Sequence, residues 1–349
     1  MAEPIVIAER GHFFVAGELL STEAGTRMRG QSFVQFEVPL HVTHRYPVVM
    51  IHGGGGQGLD FITTADGRDG WATTFLRAGY QVYVVDRAGH GRAFYDPELL
   101  GPPGRPPSLE FIAGQFAGHT DSPANPFAHL HTQWPGSGEA DDPATLRFFA
   151  SQGRPIGDLA ETHRLMRQSA VELLQQIGPA VLITNSAGGA WGWQAADAVP
   201  RLVKGIVCIE GAFMWSMPLQ PPSDEAQLYA MTAAPMAFDP PIESLAALRL
   251  QRVTPATPGA RPYLLQVDPP HRLANVAGIP VGYVSGEASF LRGAAEGVLA
   301  NMRQLGLDVD DLCLWQHGIS GNGHVPMVER NSAEVARFVM DWLARRVEP

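Results

Sequence analysis

One short stretch carries residues that could do nucleophilic chemistry: Thr184-Asn185-Ser186-Ala187-Gly188-Gly189. It follows an apolar β-type run at 180–183 and opens an Ala- and Trp-rich stretch of helical character at 190–199. A serine at the apex of so tight a strand-to-helix turn is lifted off the sheet edge, with the next amide aimed above it. The backbone there is strained, so the neighbours two positions either side must be small. Gly188 meets that need; Thr184, where Gly is usual, meets it less well. Alone, the pattern also reads as a Gly-rich helix cap.

A serine hydroxyl becomes a useful nucleophile only beside a base. His324 supplies one, in His317-Gly318-Ile319-Ser320-Gly321-Asn322-Gly323-His324, a Gly-rich loop between the last expected strand and the last expected helix. From there an imidazole can swing over the sheet edge, whereas His317 reads as a polar residue at the strand end. The imidazolium formed during reaction needs a buried carboxylate on its other nitrogen. Two glutamates compete. Glu210 ends the strand that follows this nucleophile elbow, the tight turn carrying Ser186, and is the first choice, because rigid structure fixes its carboxylate. Glu287, in Ser285-Gly286-Glu287-Ala288-Ser289, is the alternative acid, although amide hydrogen bonds at a helix start account for it equally. Ser289 reads as the cap of that helix.

A developing oxyanion requires backbone donors. Ala187 N–H is one, and Gly54 is expected to give the other, from His52-Gly53-Gly54-Gly55-Gly56. Four consecutive glycines leave that backbone open to close approach. A phosphate-binding loop would need a following Lys-Ser/Thr, which is absent. His129-Leu130-His131 lacks a third ligand at helical spacing and reads as insertion surface, so neither metal nor cofactor is expected.

The elements that must position these groups alternate in the α/β manner. Antiparallel strands are expected at 5–16 and 32–39. Buried strands follow at 47–51, 80–85, 180–183, 203–209, 279–284 and 312–315, with helices at 69–78, 158–178, 289–305 and after Asn331, whose side chain with Glu334 makes a capping box. Two Pro-rich insertions, 93–157 and 212–277, interrupt the alternation on the edge that carries the chemistry. They are expected to wall the site within a single domain spanning 1–349. Met214, Trp215 and Met217 in the second are candidate pocket residues; Met231, Met236 and Phe238 share its apolar character.

The formal net charge of −10 over 349 residues argues against nucleic acid or an anionic membrane as partner. The N-terminus lacks the basic-then-apolar layout of a signal peptide, and the two cysteines, Cys208 and Cys313, read as buried free thiols in strands. A cytoplasmic enzyme with a small-molecule ester as partner is expected, as a monomer or a homodimer.

His52-Gly53-Gly54-Gly55-Gly56, Asp86-Arg87-Ala88-Gly89-His90-Gly91, the elbow and His324 together resemble the α/β-hydrolase superfamily across almost the whole chain. The distance from Ser186 to Glu210 and the run Gly318 to His324 are similar to a group of atypical bacterial esterases whose triad acid is a Glu after strand 6. The resemblance implies an α/β-hydrolase fold with a mostly parallel twisted sheet and helices on both faces. It further implies Ser186 as nucleophile, His324 as base, Glu210 as acid, and Gly54 and Ala187 as oxyanion donors. Dehalogenases and epoxide hydrolases of this fold carry Asp at the elbow, which sets them aside. A serine hydrolase of esters or lactones is the leading expectation. Amide or carbon–carbon hydrolysis, and a non-catalytic binding module on the same scaffold, are the alternatives.

Overall fold

The computed structural model describes residues 4–211, 231–243 and 247–348. Eight strands form the main sheet: β1 (Ile7–Val15), β2 (Ser32–Pro39), β3 (Val48–Ile51), β4 (Val82–Asp86), β5 (Ala180–Asn185), β6 (Val203–Ile209), β7 (Pro280–Ser285) and β8 (Asp308–Cys313). Their spatial order is β1-β2-β4-β3-β5-β6-β7-β8. The first two strands enter antiparallel, with Phe14 opposite Phe33, and β2 is antiparallel to β4. From β4 onward every pairing is parallel.

Parallel strands need helical crossovers, and these cover both faces. On one face lie α2 (Leu159–Ile177), α3 (Gly189–Ala198) and α4 (Ala295–Gln304), burying Met166, Leu173, Trp191, Trp193 and Met302. On the other lie α1 (Trp71–Arg77) and α5 (Ser332–Arg346), burying Trp71, Phe75, Val339 and Trp342. Runs such as Val48-Val49-Met50-Ile51 are buried on both sides, as their unbroken apolarity requires. This is the α/β-hydrolase fold that the order of elements implied. The free thiols of Cys208 and Cys313 are buried.

Several local expectations are corrected. The last strand begins at Asp308 and ends at Cys313, so 314–317 is a 3-10 turn rather than strand. Acidic residues hid this edge strand: Asp308 and Asp310 face solvent, where Arg346 pairs with both. The helix expected over 289–305 is regular only from Ala295, after a 3-10 turn at Arg292–Ala294. Asn331 stands at the N-cap of α5 as expected, but its side chain accepts no amide of the first turn; it reaches Glu334 Oε2 at 3.4 Å and exchanges hydrogen bonds with the Asn322 side chain. Met231, Met236 and Phe238 pack into the core. Met214, Trp215 and Met217 lie outside the described residues.

Residues 93–157 contain helices at Pro97–Leu100, Leu109–Ile112 and Pro143–Ala150, plus a π-helical turn at Ala113–Ala117. The insertion is stitched onto the carboxyl edge of the sheet. Gly153 N–H donates to Gly55 O at 2.6 Å, Thr132 and Gln133 N–H to Gly321 O at 3.1 and 3.2 Å, and the Asn125 amide to Ala288 O at 3.0 Å.

Candidate active site

Ser186 stands between β5 and α3 with φ 50°, the strained value that the turn demands. Gly188 is obligatory, because a Cβ there would lie 2.3 Å from the His52 carbonyl oxygen. Thr184 is accommodated across the turn. Gly192, one helical turn into α3, faces it, and a Cβ at 192 would meet the Thr184 methyl at 3.2 Å. The missing first glycine of the elbow is thus offset by a glycine in the helix.

Three non-glycine residues have positive φ among those described, Ala16, Ser186 and Glu210 (φ 46°). Two of them are candidate site residues. The unusual backbone at Glu210 follows directly on β6 and turns its side chain across the sheet edge. There Glu210 Oε2 lies 2.6 Å from His324 Nδ1, with the two side chains 1% and 2% exposed. Gly286 N–H donates to Oε1 at 2.7 Å, and the Ser289 hydroxyl donates to Oε2. Three partners thus meet the two oxygens of this buried carboxylate, and both oxygens are satisfied. Ser289 also accepts from Leu291 N–H at 3.1 Å, so it does serve the helix start, but its hydroxyl proton goes to Glu210.

The alternative acid stands elsewhere. Glu287 Oε2 accepts Gly321 N–H at 2.9 Å, which ties it to the histidine loop's backbone rather than to the His324 ring. A second carboxylate that the sequence reading missed, Glu329, holds the same loop from beneath. It is buried and accepts from Gly323 N–H at 2.9 Å and from the Asn322 amide at 2.7 Å. Its third partner is His131 Nε2 at 3.1 Å. His131 is consequently a buried residue binding the first insertion to the histidine loop, not insertion surface; His129 is exposed and pairs with Asp121. His317 packs on Phe338 (centroids 5.0 Å apart), away from Glu210. No group of three metal-binding side chains exists among the described residues.

The glycine run after β3 is shaped from behind by a buried cation. Arg87 Nη2 donates to the carbonyls of both Gly53 and Gly54 at 2.7 Å, and His90 Nε2 lies 3.0 Å from the Gly54 oxygen. In a trans peptide the N–H points opposite the carbonyl. Drawing these two carbonyls toward Arg87 therefore turns the N–H groups of Gly54 and Gly55 the other way. Gly53 lies against the elbow, where a Cβ would come within 3.0 Å of Ser186 Cβ; around Gly54 the Cβ position is open. Burial lowers the proton affinity of the whole supporting cluster: Arg87 falls to about 10, His90 to about 3, and His52 well below the usual imidazole range. His52 Nε2 accepts the Arg87 backbone N–H at 3.2 Å, which requires an unprotonated nitrogen. Arg87 and His90 were legible only as part of the Asp86 to Gly91 motif; their grip on the glycine run was not.

A strained serine elbow, a histidine on a buried glutamate and a glycine loop with its amides turned outward thus meet at one edge of this sheet as a candidate site. The model of the alpha/beta hydrolase family matches residues 48–338, and the chain belongs to that family. It is similar to a probable secreted lipase, phiG, of Fungal sp. (strain ATCC 74256), with 34% identity over 329 residues, covering 90% of this chain and 86% of the relative. Among solved structures it resembles a bacterial esterase at TM-score 0.67 and 22% identity, over 99% of this chain and 98% of the other. A carboxylesterase from Bacillus subtilis, CesB, aligns at TM-score 0.43 and 12% identity, over 97% and 92% of the two chains. The fungal relative is named as secreted, so the expectation of a cytoplasmic enzyme gains no support from it. No helix among the described residues is long and apolar enough to cross a membrane.

Proposed function

We propose that the protein is a serine hydrolase that cleaves carboxylic esters through an acyl-enzyme. The observation that carries this reading is the buried pair of Glu210 and His324, 2.6 Å apart, beside the strained Ser186 elbow. The names of the fungal lipase and the bacterial esterase point the same way. In this reading Glu210 fixes the His324 tautomer with Nδ1–H toward the carboxylate, leaving Nε2 free to act as base. His324 takes the Ser186 proton, the Ser186 oxygen bonds to the ester carbonyl carbon, and the N–H groups of Gly54 and Ala187 stabilise the oxyanion. The tetrahedral species collapses as the alcohol oxygen leaves with the proton from Nε2. Water, deprotonated by His324, then attacks the acyl carbon, the bond from that carbon to the Ser186 oxygen breaks, Ser186 takes the proton back from Nε2, and the carboxylic acid leaves. The α3 N-terminus beyond the elbow adds a favourable dipole for the oxyanion.

The first insertion walls this site in our reading, because its hydrogen bonds reach both the glycine run and the histidine loop. Its release as a stable folded fragment by limited proteolysis would contradict that assignment. The central test is labelling. A fluorophosphonate should modify Ser186 alone, and Ser186→Ala should lose about three or more orders of magnitude in kcat on a chromogenic ester while keeping the fold. Labelling at another serine, or an active Ser186→Ala protein, would overturn the mechanism.

A further inference from the structure

The His324 ring is clasped by two aromatic side chains that the mechanism does not use. Phe290 packs on it with ring centroids 4.7 Å apart at 49°, and Phe116 at 5.6 Å and 55°. The two phenyl rings meet each other edge to face, 5.9 Å apart at 79°. Both are only partly buried, and Phe111, 6.1 Å beyond Phe116, is 48% exposed. An aromatic path thus runs from the surface to the proposed base.

The backbone is built to place these rings. Phe116 lies in the π-helical turn Ala113–Ala117, closed by Gly118 N–H donating to Ala113 O at 2.6 Å. Such turns insert one residue into a helix, are energetically poor, and concentrate at functional sites. Here the buried Ile112 and Ala117 anchor its ends while Phe116 is carried onto the histidine. Phe290 follows Ser289, which is held on Glu210, and its carbonyl accepts from Arg261 Nη2 at 2.9 Å. Both rings are therefore set by structure that serves the site.

We infer that Phe116 and Phe290 determine specificity for the leaving alcohol, selecting esters of aryl, arylmethyl or similarly flat apolar alcohols. This rests on the serine-hydrolase reading. In acylation the Ser186 oxygen–carbon bond forms, the carbon–alcohol oxygen bond breaks, and the proton that left Ser186 passes from His324 Nε2 to the departing oxygen. That oxygen is the substrate atom hydrogen-bonded to the imidazole, so the carbons attached to it fall within reach of rings packed on the imidazole. The acyl chain is separated from the imidazole by one bond more. Two phenyl rings at right angles give a third ring edge-to-face partners. A polar alcohol placed against the same rings would lose water without gaining comparable contacts.

The experiment uses one acyl group and two alcohols of similar acidity, as benzyl acetate and 2-methoxyethyl acetate, so that both substrates share one acyl-enzyme. The wild-type protein should favour the benzyl ester in kcat/KM. Phe116→Asn and Phe290→Asn should each shrink that preference by about 3- to 10-fold, the effect of losing one aromatic pair. Phe116→Leu, which keeps apolar bulk, should shrink it less than Phe116→Asn. Equal losses on both esters would mean that the rings only brace His324 and would overturn the inference. So would a wild-type protein without benzyl preference. Fluorophosphonate labelling of the same samples separates the two claims: failure to label Ser186 sinks the hydrolase reading itself, whereas labelling with an unchanged ester ratio sinks only the alcohol assignment.

Discussion

The side-chain amide of Asn185 lies 3.3 Å from the carbonyl oxygen of His324, and the same nitrogen lies 3.3 Å from the carbonyl oxygen of Ile209. One buried residue, adjacent to Ser186 in sequence, therefore bonds the loop that carries His324 and the strand end that carries Glu210. The three proposed catalytic groups come from three separate strand ends. Their relative placement must be fixed to a fraction of an ångström for catalysis.

Replacing Asn185 should act on kcat more than on KM. Asn185→Ala removes the donor to both carbonyls and should lower kcat and the fluorophosphonate labelling rate of Ser186 by about tenfold, on the scale of one or two modest hydrogen bonds. Asn185→Asp should be worse than Ala, since it sets a buried carboxylate against two carbonyl oxygens. An Asp variant as active as wild type would show that this amide has no positioning role.

The glycines of the site divide by what a methyl group would meet. At Gly54 a Cβ finds open space, so Gly54→Ala should fold with stability within about 0.5 kcal/mol of wild type. It should nevertheless lose about 10- to 100-fold in kcat/KM, because the methyl intrudes where an oxyanion must approach the backbone. At Gly188 a Cβ would meet the His52 carbonyl at 2.3 Å, and Gly188→Ala should be destabilised by about 2–3 kcal/mol. Denaturant unfolding alongside ester kinetics tests both; an active, stable Gly188→Ala protein would refute the steric account of the elbow.

The segments that build the candidate site were legible in the sequence because their patterns are local. The elbow is one continuous turn, and His324 is recognised by its Gly-rich loop. Glu210 required a choice between two strand ends, and what favours it, the approach of its carboxylate to the His324 ring while Glu287 turns to Gly321 N–H, exists only in the folded chain. Glu329, His131 and Asn185 could not be read, because each acts through contacts between segments far apart in the chain, 198 residues for the pair of His131 and Glu329. Thr184 looked like a defect because its compensating neighbour, Gly192, lies in the next element. The start of β8 was missed for a physical reason too: an edge strand with solvated aspartates lacks the apolar run by which inner strands are recognised.

Stability should fall in acid. His90 and His163 are held near 3 and 4 by burial, reinforced by the nearby Arg87 charge, and His52 lies well below its ordinary value. His163 Nδ1 accepts Ala233 N–H at 2.7 Å, so it must stay unprotonated to keep that bond. The unfolded chain takes up protons at these residues from about pH 6.5 downward, whereas the folded chain does not, so stability decreases as pH drops through that window. Asp60 opposes this: burial raises it to about 7, and the folded chain keeps a proton that the unfolded chain releases above about pH 4. Asp311, also raised by burial, opposes it in the same sense, but the three histidines outweigh the two aspartates and leave a net uptake of protons on unfolding between about pH 4.5 and 6. The denaturant midpoint should fall from pH 6.5 to pH 4.5, and less steeply in His163→Gln. A flat or rising midpoint over that range would contradict neutral buried histidines.

The two glutamates should separate cleanly by kinetics. Glu210→Gln keeps the size of the side chain but presents an amide to His324 Nδ1, and whichever atom faces the ring, no negative charge remains to stabilise the imidazolium. The loss in kcat should reach about three to four orders of magnitude, as when the acid of a serine–histidine–aspartate triad is made neutral. KM should change little, because the carboxylate is buried behind the histidine. Glu287→Gln retains an oxygen able to accept Gly321 N–H at the position where Oε2 does so now, 2.9 Å away. Its kcat should stay within about threefold of wild type, the range of a modest hydrogen bond on a half-buried loop. Steady-state kinetics on one chromogenic ester, with folding checked by denaturant unfolding, decides the matter. A Glu210→Gln enzyme with near-normal kcat, paired with an inactive but folded Glu287→Gln enzyme, would transfer the acid to the later strand.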